Sequence, residues 1–198
     1  MLSPDNSTQP ISHSGRMTLL QVAMRSIREG LQSGRALRVD SREFPAELRS
    51  QRACFVTLNN NRGLRGCIGH LEATQPLICD VSENAFSAAF HDPRFPPLAA
   101  AELQGLELHI SVLTPAMPLE CASEAALTGK IRPGVDGLIL EEHGHRGTFL
   151  PSVWESLPDP AEFIRQLKRK AGLPTDYWST GIRIARYQTE AFSTVDTV

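Results

Sequence analysis

The chain has 198 residues, 41% of them hydrophobic, and a formal charge of −2 at neutral pH. That length suits one domain or one domain with two lobes, and the near-neutral balance argues against a general polyanion binder, leaving room only for a local basic patch. No run approaches the roughly 18 apolar residues of a membrane span, and the polar start to Gly15 lacks the apolar core of a secretion signal.

The first stretch, 1–15, is rich in Ser, Pro, Asn and Gln and reads as a disordered or late-ordering tail. A single two-lobed domain is expected over 16–198. From Met17 the spacing of Leu20, Ala23, Met24, Ile27 and Leu31 predicts a helix ending near Gly34. Phe44 to Leu48 reads as a short helical turn or a packed connection. Ala53 to Leu58 follows as a strand, and after Asn59-Asn60-Asn61 a second strand is expected over Cys67 to Leu71. Pro76 suits a first helical turn, with Leu77, Ile78, Val81, Ala85, Ala88 and Ala89 as the buried face. That helix should stop near His91, because Pro93 disfavours helical geometry at Asp92. The segment from Asp92 to Pro97 is expected to be stiff and extended.

Leu106, Leu108, Ile110 and Val112 alternate with polar residues, as in a strand with one buried face. A short helix is expected from Glu124 to Leu127, closed by Gly129. Gly137 to Glu142 and Arg146 to Leu150 form a hairpin pattern through His143-Gly144-His145. Asp159 can cap a helix starting at Pro160, buried through Phe163, Ile164, Leu167 and Ala171. Lys168, Arg169 and Lys170 suit its C-terminal dipole end, which explains them before RNA need be invoked. Ile182 to Tyr187 reads as the last strand. Helices before, between and after closely joined strands indicate an α+β fold with a largely antiparallel sheet.

Chemistry concentrates in Arg62-Gly63-Leu64-Arg65-Gly66-Cys67-Ile68-Gly69-His70. Three evenly spaced glycines can bring backbone amides close to a bound group. Neighbouring arginines favour a thiolate at Cys67. The competing reading is a glycine-bearing hairpin with a small, inert cysteine. On a regular strand His70 points away from Cys67, so that pairing is disfavoured. Cys54, Cys79 and Cys121 form no C-x-x-C pair or disulfide framework, which fits a reduced cytoplasmic protein.

A second cluster, His91, Asp92 and Arg94, offers a base in Asp92 and a carboxylate or phosphate clamp in Arg94. Asp92 and Arg94 pairing only with each other is the alternative. His143 and His145, with Glu141 and Glu142, could in principle bind zinc or iron, but no third ligand is fixed by spacing, so no metal is assigned. His109 reads as a sheet-surface residue. The spacing fits neither a dinucleotide fingerprint nor a phosphate loop, and the sequence assigns no cofactor.

Several blocks in order carry a family resemblance: Phe55-Val56-Thr57-Leu58, Leu64-Arg65-Gly66-Cys67-Ile68-Gly69, Glu83-Asn84-Ala85 and Asp92-Pro93-Arg94-Phe95. Gly134-Val135-Asp136-Gly137-Leu138, Phe149-Leu150-Pro151-Ser152-Val153 and Lys170-Ala171-Gly172-Leu173 continue the series. Together they resemble the AMMECR-one domain family, whose bacterial and archaeal members include the AmmeMemoRadiSam system protein A. The resemblance covers about residues 17–193. It implies an α+β domain with a larger and a smaller lobe and a cleft between them. It implies association with a Memo-like protein and a radical S-adenosylmethionine protein, whose cofactor would belong to that partner. Carried over residue by residue, the site candidates are Cys67 and Asp92 for catalysis, with Arg65, Gly66, Gly69 and Arg94 for ligand binding. The resulting expectation is an enzyme or enzyme component using Cys67 in an interlobe pocket on a small acidic or nucleotide-like molecule. A non-catalytic ligand-binding or adaptor domain is the alternative, and an RNA-binding or RNA-modification component a weaker one.

Overall fold

The computed structural model describes residues 10–195. Within them the chain forms two compact units, one reaching Thr114 and rejoined from Glu190, the other Pro115–Thr189. All the strand pairings described below are antiparallel, as expected for an α+β fold.

In the first unit a four-stranded sheet has the order β2-β1-β3-β8. These strands are β1 (Cys54–Asn60), β2 (Gly63–Gly69), β3 (Glu107–Leu113) and β8 (Thr189–Ser193). Strand alternation puts Cys54, Val56 and Leu58 of β1 and Leu108, Ile110 and Val112 of β3 on one face. All six are buried, in one core with Leu19, Ala23 and Ile27 of α1 (His13–Ser33) and Ile78, Val81 and Ala85 of α3 (Leu77–Phe90). The two helices cross closely because Gly30 lacks a side chain: a Cβ there would come within 2.4 Å of the Phe90 ring. Phe55, Thr57, His109 and Ser111 belong to the opposite face and are only half-buried.

Helix α1 begins at His13, four residues earlier than apolar periodicity alone places it. Periodicity registers only the buried stripe, whereas the start is set by polar contacts. The Ser12 hydroxyl accepts the Gly15 N–H at 3.0 Å, the usual device for an orphan first-turn amide. The Ile11 amide donates to Glu190 of β8, and that of Ser12 to Glu47 of α2 (Ala46–Arg49). Residues 10–15 of the expected tail are therefore tied into the first unit, and 1–9 lies outside the described residues. At the other end Gly34 stops the helix with φ +69°, a left-handed geometry that glycine adopts without strain.

The second unit holds β4 (Met117–Pro118), β5 (Gly137–Glu142), β6 (His145–Phe149) and β7 (Arg183–Tyr187), in the order β4-β7-β5-β6. Leu138, Leu140 and Ile184 pack against Phe163, Ile164 and Leu167 of α5 (Pro160–Lys170), and Trp154 stacks on Phe163 at 3.8 Å. The expected hairpin is present. Its turn is the two residues His143 and Gly144, both at positive φ, as the tightest hairpins require. Helix α4 (Glu124–Lys130) continues through Gly129 instead of closing there. β7 is followed by a further strand, β8, which belongs to the other unit's sheet.

Candidate functional site

The glycine-rich stretch is itself a strand. Only Asn61 and Arg62 form the turn, and β2 runs from Gly63 through Gly69 as an edge of its sheet. Gly63, at φ +99°, serves the turn, whereas Gly66 and Gly69 answer to packing. Gly66 pairs with Leu58 on the core face, where a Cβ would lie 2.1 Å from the Ala88 carbonyl oxygen of α3. At Gly69 a Cβ would meet the Phe55 ring and the Cys54 carbonyl, both at 2.4 Å. The expected loop of ligand-facing amides is therefore corrected: these glycines let a helix and a ring approach the backbone.

An edge strand leaves alternate N–H and C=O groups without a neighbouring strand. At Cys67 these groups point off the sheet, and side chains satisfy them. The Cys67 N–H donates to Asp92 Oδ2 at 2.9 Å, and Arg94 Nη2 donates to the Cys67 carbonyl at 3.3 Å. Arg94 also grips Asp92, donating from Nε at 2.9 Å and Nη2 at 2.6 Å. The segment from Asp92 is a turn, closed by the Phe95 N–H on the Asp92 carbonyl, and not the extended stretch expected from its prolines. Proline fixes its own φ, but the Asp92 side chain also takes the Arg94 N–H and bends the chain back. Arg94, then the backbone amides, hold the Asp92 carboxyl far below the ordinary carboxylate range.

Arg65 is the extra residue of a bulge. The register passes from Leu58↔Gly66 to Asn59↔Leu64 and leaves Arg65 unmatched. Its buried guanidinium donates to both Glu102 oxygens, at 2.6 and 3.1 Å, and to the Pro96 carbonyl at 2.9 Å. Arg65 thereby pulls the Glu102 carboxyl down to about 2. The guanidiniums of Arg65 and Arg94 lie 5.8 and 5.5 Å from the Phe95 ring centre.

The structure thus brings Cys67, Asp92 and Arg94 into direct contact and holds Arg65 beside them. His70 goes elsewhere: its Nδ1 lies 3.4 Å from Asp80. Asp80 is the hub of a buried cluster that local spacing does not single out. It accepts the Cys54 N–H and thiol, at 3.0 and 3.1 Å, and the Asn84 amide at 3.0 Å. Burial, reinforced by the Asp80 charge, pushes the Cys54 thiol up, and burial also raises Cys79 and Cys121. None of these three is placed as an activated nucleophile.

Cys67 lies on the non-core face of its sheet. It pairs with Thr57, whose hydroxyl lies 3.2 Å from Sγ, and Thr57 pairs in turn with His109 of β3. Thiol, hydroxyl and imidazole therefore form one cross-strand row on the face opposite α1 and α3. The alternating pattern carried a hint of this, since Thr57 and His109 both occupy the non-core parity of their strands. The His109 Nε2 is buried without a hydrogen-bond partner.

In the second unit, His143 is exposed and 3.4 Å from Glu142, while His145 Nδ1 lies 3.0 Å from the Ala171 carbonyl. Glu142 accepts from Ser179 and Tyr177, the first more than the second lowering it below the ordinary carboxylate range. Among the described residues no group of three or more His, Cys, Asp or Glu is arranged to hold a metal ion. An apolar groove of about 400 Å³, walled by Pro118, Leu119, Cys121, Ile139 and Ile182, lies in this unit.

The AMMECR1 family model matches residues 20–192, spanning the strands and helices just described. The chain belongs to the AMMECR1 family. A Methanothermobacter thermautotrophicus relative is 41% identical over 189 residues, covering 92% of this chain and 96% of the relative. A Methanocaldococcus jannaschii family member is 36% identical, with 87% of each chain covered. The crystal structure of an uncharacterised Pyrococcus horikoshii protein has the same fold, with TM-score 0.81 and 35% identity, covering 88% of this chain and 89% of that one. Among the described residues no helix is long and apolar enough to cross a membrane.

Proposed function

We propose that this family member is an enzyme or enzyme component whose chemistry runs through Cys67. Its thiol would act as nucleophile or covalent carrier, with Arg94 receiving an anionic group of a small acidic or nucleotide-like substrate. One observation carries the reading. Along β2 the backbone of Cys67 is occupied by Asp92 and Arg94, the neighbouring glycines are occupied by packing, and the thiol of the half-buried Cys67 is left on the non-core face beside the Thr57 hydroxyl. Arg94 keeps 53% of its side chain exposed beside that thiol and so retains donors for a ligand. Asp92 serves as the positioning residue for both, since its paired carboxylate is too acidic to be a base near neutrality. Joint action with a Memo-like protein and a radical S-adenosylmethionine protein belongs to the same proposal, and co-purification of the three tests it.

Competitive thiol labelling tests the chemical reading. Cys67 should react faster than Cys54, Cys79 and Cys121, and Cys67→Ala should abolish complementation of a strain lacking the gene. Equal labelling rates together with full complementation would end it. The second reading, a non-catalytic ligand-binding or adaptor domain, is favoured by one fact: Asp92 bonds the Cys67 amide and not its sulfur. It predicts that Cys67→Ser complements fully.

A further inference from the structure

We propose that Thr57 is the positioning residue of the Cys67 thiol, holding it outward and stabilising negative charge on sulfur. This rests on the reading of Cys67 as the reactive group and adds to it a residue that neither spacing nor the glycine pattern singles out.

The argument starts from strand geometry. In an antiparallel pair, opposed residues alternate between exchanging backbone hydrogen bonds and not doing so, and side chains approach more closely in the second kind. The Cys67 N–H and C=O are engaged by Asp92 and Arg94, so Thr57↔Cys67 is of the second kind. Threonine is stiff about χ1, so its hydroxyl is held in place with little freedom to lose. That hydroxyl donates to Sγ at 3.2 Å. A donor is bound more strongly by a charged acceptor than by a neutral one, so this contact favours the thiolate. Arg94 on the Cys67 carbonyl and Asp92 on the Cys67 amide are paired with each other, so their charges offset and the Thr57 hydroxyl is the donor that meets the sulfur. The bulge at Arg65 sits two residues before Cys67, where it increases the local twist without breaking the 67–57 pairing.

The size of the effect follows from two opposed terms. A hydrogen bond to a charged group is worth on the order of tenfold in population, and roughly half of that on a logarithmic scale is lost because a stabilised thiolate is a weaker nucleophile. The net expectation is a change of about threefold in the labelling rate near neutral pH.

The test uses the full chain, iodoacetamide and mass spectrometry of each cysteine peptide, comparing wild type with Thr57→Val and Thr57→Ser. Valine keeps the shape and removes the hydroxyl, whereas serine keeps the hydroxyl. Thr57→Val should slow Cys67 by about threefold while leaving Cys79 and Cys121 unchanged, and Thr57→Ser should restore the rate. Unchanged Cys79 and Cys121 rates also report that the fold is intact. A valine variant labelled as fast as wild type, or a serine variant as slow as valine, overturns the role of Thr57 and leaves the thiol reading standing. If wild-type Cys67 labels no faster than Cys79 and Cys121 and Cys67→Ala complements fully, the thiol reading fails first and Thr57 with it.

Discussion

Replacing Asp92 with alanine removes the acceptor that closes the sheet edge, and its cost can be worked from the contacts. The carboxylate is 2% exposed and receives the Cys67 N–H at 2.9 Å as well as the Arg94 guanidinium. Leaving a half-buried amide unpaired costs about 1–2 kcal/mol. Freeing the half-exposed Arg94 costs less than about 1 kcal/mol, because water takes over its donors. Asp92→Ala should therefore destabilise the first unit by about 1–3 kcal/mol. The assay must report on that unit, and both tryptophans, Trp154 and Trp178, lie in the other. Cys54 is the natural probe, being fully buried in the first unit's core. Its labelling should begin at lower urea in the variant, and hydrogen exchange at the Cys67 amide should accelerate. An unchanged Cys54 labelling midpoint with an equally protected Cys67 amide would refute the edge-closure argument.

Gly66→Ala places a Cβ 2.1 Å from the Ala88 carbonyl, so α3 must move off β2. A loss of about 3 kcal/mol is expected, read by the same Cys54 labelling in urea. Acid should weaken this unit. Glu102 and Asp92 have folded-state values below their ordinary 4.5 and 3.8, so their stabilisation is present above those values and is lost as pH falls, for Glu102 down to about 2. Urea titrations at stepped pH should show this loss, and Glu102→Gln should flatten it. In the second unit, Lys168 is fully buried against Glu124 at 2.8 Å, with Glu124 34% exposed. Lys168→Met should change urea stability, followed by tryptophan fluorescence, by less than about 1 kcal/mol, because an apolar side chain fills the site and Glu124 can be hydrated. Glu124→Ala should cost about 3 kcal/mol, because it strands a buried ammonium.

Most elements were legible because their signals are local. The apolar stripe of α3, the alternation of β3 and the Asp159-Pro160 start of α5 each need only a few neighbouring residues to be read. Where reading failed, a distant contact overrode the local signal. The start of α1 depends on Glu190, 179 residues from Ile11, and no window of periodicity contains that pairing. The turn at Asp92 depends on a carboxylate that bends its own backbone while holding an amide 25 residues away. The buried hub at Asp80 forms only when α3 lies against β1, so its residues carry no mark in the chain.

By itself the sequence determined that this is an α+β chain of the AMMECR1 kind, and it marked Cys67 as the candidate for reactivity. It could not determine what the glycines were for, because a glycine required by a turn, a ligand or a close helix looks the same in a one-dimensional string. The tertiary structure decided that Gly66 admits α3, that Asp92 and Arg94 close the edge at Cys67, and that Thr57 faces the sulfur. The physical reason is register: strand pairing fixes which side chains meet, and it is set by the whole sheet at once.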